Sequence, residues 1–164
     1  MTYGYDNEVD ARFDFDEIAL YRKVVDTVLE EENCPYEAEV ELLIVDDSQM
    51  KMINREQRNI DNTTDVLSFP MVQYEVPGDF SKVEEMEDCF NIDTGELLLG
   101  DIVLSIDRIR SQAEEFGHSE RREYAFLIVH SMLHLIGYDH IDEKDRLFME
   151  DKQRKIMELL GILR

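Results

Sequence analysis

Apolar positions along this chain fall into runs with recognisable periods. From Glu17 to Glu31, Ile18, Tyr21, Val25 and Val28 recur at steps of three and four, which predicts an amphipathic helix. Glu39 to Val45 begins alternating and ends apolar, as a strand entering a core does. Asp46 and Asp47 then supply helix N-cap chemistry, and Gln49 to Arg58 reads as a short helix. Asp65 to Pro70 reads as a short strand, with Pro70 where a ladder donor is no longer needed. Leu97 to Ser105 reads as another strand, interrupted at Gly100-Asp101. Three helical patterns close the chain: Ile106 to Phe116, Ser119 to Ile136, and Asp142 to Leu160. Gly117, Gly137 and Gly161 stand just past their ends, where a left-handed cap favours a residue without Cβ.

Strands mixed with helices early and helices alone late predict an α+β fold, with residues 1–164 as a single domain. Between Val72 and Gly95 no element is evident, and Glu84, Glu85, Glu87 and Asp88 cluster there. Such a stretch predicts a mobile acidic surface loop at about 73–95, with room for a short helical turn.

Charge narrows the range of partners. Seventeen basic against thirty-nine acidic residues give a net charge of −22 over 164 residues. That argues against a general nucleic-acid-coating protein and against a binder of anionic membranes. It does not argue for disorder, because 43% of the residues are hydrophobic and periodic. Residues 1–100 hold 26 acidic and 7 basic residues, whereas 101–164 hold 13 and 10, so an anionic substrate is expected to approach the later part. Cys34 and Cys89 form no C-x-x-C pair and read as two free thiols. Met1 to Asp10 has no secretory pattern, and runs such as Phe126 to Val129 are too short to span a bilayer. The expected location is cytoplasmic.

Three of the four histidines fall within eleven residues, in His130-Ser131-Met132-Leu133-His134-Leu135-Ile136-Gly137-Tyr138-Asp139-His140. At a spacing of four, His130 and His134 share one helix face, and the turn at Gly137 lets His140 swing back toward them. Three converging imidazoles with an open fourth position make the ligand set of a catalytic site for zinc or another imidazole-preferring divalent ion. Burying several ionisable rings on an apolar helix without a metal would carry a large desolvation cost. His118, at the helix entry, reads as a surface or first-turn residue rather than a fourth ligand. Tyr138 and Asp139, between the ligands, read as packing or hydrogen-bonding support. The zinc-protease pattern H-E-x-x-H-x-x-G-x-x-H matches except that Ser131 replaces the glutamate that serves as base. A hydroxyl is too weak a base for that role, which demotes proteolysis.

With Ser131 in place, H-S-M-L-H-L-I-G-Y-D-H resembles the motif of the YbeY family of bacterial metal-dependent endoribonucleases, the rRNA maturation factors. Asn54 to Asp61 followed by Thr64-Asp65-Val66-Leu67-Ser68-Phe69-Pro70 is similar to a second motif of that family, and Leu99 to Ser105 to a third. The family often has proline before the threonine, where this chain has Thr63. The resemblance implies a mixed sheet of about four strands packed with helices, with a metal cleft on the late helix and the turn after it. It implies one divalent metal ion, zinc first among candidates, on His130, His134 and His140. It also implies a catalytic Arg58 acting on RNA phosphate. A guanidinium independently suits that task, because it presents a planar fork of donors and stays charged. Arg55 shares a face with Arg58, and Arg121 and Arg122 open the metal-bearing helix, where they either flank the cleft or pair with nearby glutamates.

The expected activity is therefore that of a hydrolase, a single-strand-specific zinc-dependent endoribonuclease. The resemblance implies roles in maturing the small-subunit rRNA 3′ end and in ribosome quality control. Its expected partners are single-stranded rRNA and the ribosome or ribosomal proteins, with neither DNA nor membrane. Two rivals stand beside it: a ribosome-assembly factor acting mainly by binding, whose acidic surface would face basic proteins, and a metal-dependent hydrolase of some non-RNA substrate. No general base is evident, so attack by water and attack by the substrate's own 2′-hydroxyl both stay open.

Overall fold

The computed structural model describes residues 1–162. Four strands, β1 (Thr2–Asn7), β2 (Ala38–Val45), β3 (Val66–Pro70) and β4 (Leu97–Ser105), form one sheet in the order β1-β2-β4-β3. β1, β2 and β4 run parallel, and β3 lies antiparallel to β4, so the sheet is mixed. Five helices accompany it: α1 (Glu17–Glu31), α2 (Asp47–Arg58), α3 (Ile106–Phe116), α4 (Glu120–Leu135) and α5 (Glu143–Leu159). This is the α+β architecture that the pattern predicts, in a single domain.

Alternation along the strands separates two layers. Val40, Leu42 and Ile44 of β2, with Leu97, Leu99, Ile102 and Leu104 of β4, join the main core beneath α1, α3, α4 and α5. Val45, Leu67 and Val103 close with Met50 into a smaller cluster under α2. α4 is central: Tyr124, Ala125, Leu127, Ile128, Val129, Met132, Leu133 and Leu135 bury nearly its whole circumference. A helix apolar all round needs neighbours on every side, and α4 packs against α1, α3, α5, β3 and β4. His130 and His134 therefore stand on a helix packed on nearly every side.

Side-chain caps set the helix ends. Asp46 opens α2 through a capping box with Gln49, while Asp47 lies inside the helix and accepts from the Ser105 and Thr63 hydroxyls. Ser105 caps α3, Ser119 caps α4 and Asp142 caps α5. Gly117 closes α3 in the left-handed conformation.

Three features depart from the pattern reading. β1 had no period to betray it, because Thr2–Asn7 is polar and none of its residues is fully buried. Its place comes from parallel pairing with β2. Gly100 does not interrupt β4: the strand runs through it, with a register shift opposite Glu39/Val40. Its φ is 137°, and a Cβ there would meet the Phe69 carbonyl oxygen at 2.2 Å, so glycine lets β3 lie close. Between β3 and β4 the chain makes two single 3₁₀ turns, Val83–Glu85 and Glu87–Cys89, where one short turn was expected. Val72, Phe80, Val83 and Cys89 are buried there, whereas Glu84, Glu85, Glu87 and Asp88 face solvent. No helix among the described residues is long and apolar enough to cross a membrane.

Candidate metal centre

His130 and His134 lie one turn apart on α4, with their Nε2 atoms 3.0 Å from each other. Two ligand nitrogens on one tetrahedral zinc stand about 3.3 Å apart, so the rings are already aimed at a common point. Met132 and His134 carbonyls accept the first turns beyond the helix, and Gly137, at φ 102°, reverses the chain. The turn delivers His140, whose ring centroid lies 5.2 Å from that of His134 and 5.8 Å from that of His130. One donor atom each from His134, Asp139 and His140 lies within 4.8 Å of the others. The three rings of the expected trio stand side by side, but the 4.8 Å group of donor atoms leaves out His130 and takes in Asp139, which the pattern reads as support.

Polar contacts behind the rings fix their orientation. His134 Nδ1 donates to the Tyr138 carbonyl at 2.9 Å, which leaves its Nε2 without a proton. His130 Nδ1 lies 2.6 Å from Nε2 of Gln153, a side chain of α5 only 5% exposed. Burial, with the neighbouring His134 ring second, pushes the His130 pKa down to about 4, and burial likewise lowers that of His134. Both rings are thereby held in the neutral form that ligates metal. Imidazole nitrogens with one carboxylate, and no thiolate, suit zinc or a similar borderline divalent ion.

The rings open into a cleft of about 520 Å³, walled by edge strand β3 and by the turn after α4. Arg58, Thr64, Asp65, Ser68, His130, His134, Asp139 and His140 supply its polar lining. Arg58 ends α2, where a cation suits the helix dipole, and its Nη1 donates to Asn54 Oδ1 at 3.4 Å. Asn54 is buried and donates onward to the Asn62 carbonyl at 2.9 Å. Asn59 ends the helix in the left-handed conformation, so the chain leaves Arg58 at the rim. The cleft draws on both parts of the chain, Arg58 to Pro70 and His130 to His140. An approach through the later residues alone is therefore too narrow a picture.

Other expected positions resolve differently. Arg55, Arg121 and Arg122 lie outside the cleft lining, and Arg122 donates to the Ile162 carbonyl at 2.9 Å. His118 sits before α4 as expected but is not at the surface: its side chain is 10% exposed and pairs with Glu123 at 2.6 Å. Ser131 is fully buried, its hydroxyl 2.6 Å from that of Ser68 on β3. The position that carries the glutamate in zinc proteases faces the sheet here. Gln153 escaped the sequence reading, although it stands as a lone amide among Met149, Ile156 and Met157 on the buried stripe of α5. Thr64, Asp65 and Ser68 stood in the second motif of the family resemblance, with no role of their own assigned.

Fold and site together define a small α+β protein with a histidine-rich candidate metal centre at the base of a polar cleft. A family model described as Endoribonuclease YbeY matches residues 5–161. The chain is 51% identical over 165 residues to "Endoribonuclease YbeY" of Lachnoclostridium phytofermentans, and 54% identical over 165 residues to that of Agathobacter rectalis, each alignment covering 100% of both chains. The chain belongs to the YbeY endoribonuclease family. Its fold is also that of the solution structure of TM1509 from Thermotoga maritima, with a TM-score of 0.63 at 22% identity, over 98% of this chain and 90% of that one.

Proposed function

We propose that this protein is a zinc-dependent endoribonuclease, with His130, His134 and His140 holding the ion and Arg58 binding the scissile phosphate. One observation carries the reading: Arg58, on α2, and the three histidines, from α4 and its turn, line the same cleft. Family membership supplies the reaction class, cleavage of a phosphodiester bond in RNA.

The donor set fits a zinc ion, which when bound supplies Lewis acidity toward oxygen and acidifies water. The protein's own residues do the rest. His134 keeps the in-plane lone pair of its Nε2 turned to the cleft because the Tyr138 carbonyl accepts the proton on its Nδ1, and Gln153 holds the far side of the His130 ring. Arg58 offers paired N–H donors to the phosphate and stabilises charge developing on its oxygens. Ser131, tied to Ser68, keeps α4 against β3 and takes no part in proton transfer.

The finer reading follows the family resemblance and the charge. The substrate is single-stranded rRNA, cleaved in small-subunit 3′-end maturation and in ribosome quality control, in the cytoplasm. At a net charge of −22 the protein binds bare RNA weakly and reaches its target through ribosomal proteins. Elemental analysis coupled to cleavage assays on single-stranded RNA, duplex RNA and casein tests the proposal. Wild type is expected to carry one zinc and cut only single-stranded RNA, and His134→Ala to lose both properties. Undiminished cleavage after exhaustive chelation would overturn it.

A further inference from the structure

α5 contributes no candidate ligand, yet its buried Gln153 makes the shortest polar contact to any of the three histidines, Nε2 to His130 Nδ1 at 2.6 Å. An amide NH₂ can only donate, so in this arrangement Nδ1 accepts and the proton of the neutral ring sits on Nε2. That N–H then meets His134 Nε2 at 3.0 Å, and His134 Nδ1–H meets the Tyr138 carbonyl at 2.9 Å. The result is a closed relay, Gln153 to His130 to His134 to Tyr138, in which every donor has an acceptor. In that pattern His130 has no lone pair free for a metal.

Ligation through His130 Nε2 requires the other tautomer, with the proton on Nδ1. A carboxylate behind the ring would hold that tautomer permanently, and an aliphatic side chain would hold neither. Glutamine serves both. Rotating its amide by half a turn presents Oε1 in place of Nε2 and accepts the Nδ1 proton. From this geometry we infer that Gln153 is a positioning residue which secures His130 in both states by reversing its amide when metal arrives. The inference rests on the metal reading above.

Residues bonded to the far nitrogen of a ligating histidine typically govern metal affinity by 10–100-fold. Three proteins test the role: wild type, Gln153→Glu, which can only accept once ionised, and Gln153→Met, which is similar in length and can do neither. Zinc affinity is read by chelator competition. The tautomer of His130 in the metal-free protein is read from its ¹⁵N shifts. Expected results are a 10–100-fold loss of affinity in Gln153→Met, affinity within a few-fold of wild type or better in Gln153→Glu, and an Nε2–H tautomer in metal-free wild type. Equal affinity in all three proteins overturns the inference, and so does equal loss in both variants, which would mark Gln153 as packing alone. A Nδ1–H tautomer in metal-free wild type overturns the amide reversal. Wild type that takes up no metal instead overturns the metal reading itself, which separates the two failures.

Discussion

The Tyr138 phenol donates to Glu32 Oε2 at 3.0 Å, which binds the turn carrying His140 to the end of α1, 106 residues away in sequence. Lys152 of α5 pairs with the other Glu32 oxygen at 2.9 Å and lies over the Tyr138 ring. The same tyrosine's carbonyl accepts from His134, so one residue ties a candidate ligand to the fold's periphery. Tyr138→Phe removes the phenolic donor but leaves Glu32 paired with Lys152. The expected cost is about 1–2 kcal/mol. For a domain of this size that lowers Tm by roughly 2–6 °C, read by thermal unfolding of metal-free protein. No change in Tm would show that the turn is held by its backbone alone.

Arg58 acts, on the proposed mechanism, on charge that develops during cleavage. Arg58→Ala is expected to lower kcat by about 10²–10³, the usual cost of losing one such donor. Arg58→Lys recovers part of the loss, because a point charge lacks the bidentate fork. Metal content stays that of wild type in both variants. Single-turnover cleavage with parallel elemental analysis separates this outcome from a collapsed site.

Ser131→Glu restores the protease pattern in letters only. The side chain would enter a fully buried space against Ser68, whose single hydroxyl does not offset the desolvation of a carboxylate. A loss of at least about 3 kcal/mol is expected, with no casein cleavage. Denaturant unfolding and a casein assay check both parts, and a stable, proteolytic variant would contradict the geometry.

Acid lability follows from the buried rings. His130 has its pKa lowered to about 4 in the folded protein, chiefly by burial, against 6.5 for an ordinary histidine. Between those values the unfolded chain binds a proton that the folded chain refuses, so stability falls as pH drops from 6.5 toward 4. The shift corresponds to at most about 3 kcal/mol for metal-free protein. Urea midpoints measured across that window should fall with pH. Zinc is expected to oppose the fall, since ligation needs the same neutral rings.

Much of this could be read from particular residues. α1 and α3 begin and end where the pattern puts them, because Asp16, Ser105 and Gly117 carry capping chemistry in their own side chains or lack of one. The pair His130 and His134 was legible because helical spacing alone puts two rings on one face. β1 was not, since a half-exposed edge strand is defined by the partner it pairs with. Nor was the burial of His118, which depends on Glu123 folding back against it.

The sequence by itself determined the helices, three strands and the histidine spacing, all of which follow from local periodicity and caps. Only the tertiary structure decided that Arg58 shares the cleft, that Asp139 joins the histidines, and that Gln153 stands behind His130. Arg58 and His130 stand 72 residues apart in sequence and His130 and Gln153 23 apart, so those two relationships exist only once α2, α4 and α5 have packed. Periodicity reports what one element can bury; packing reports which side chains meet.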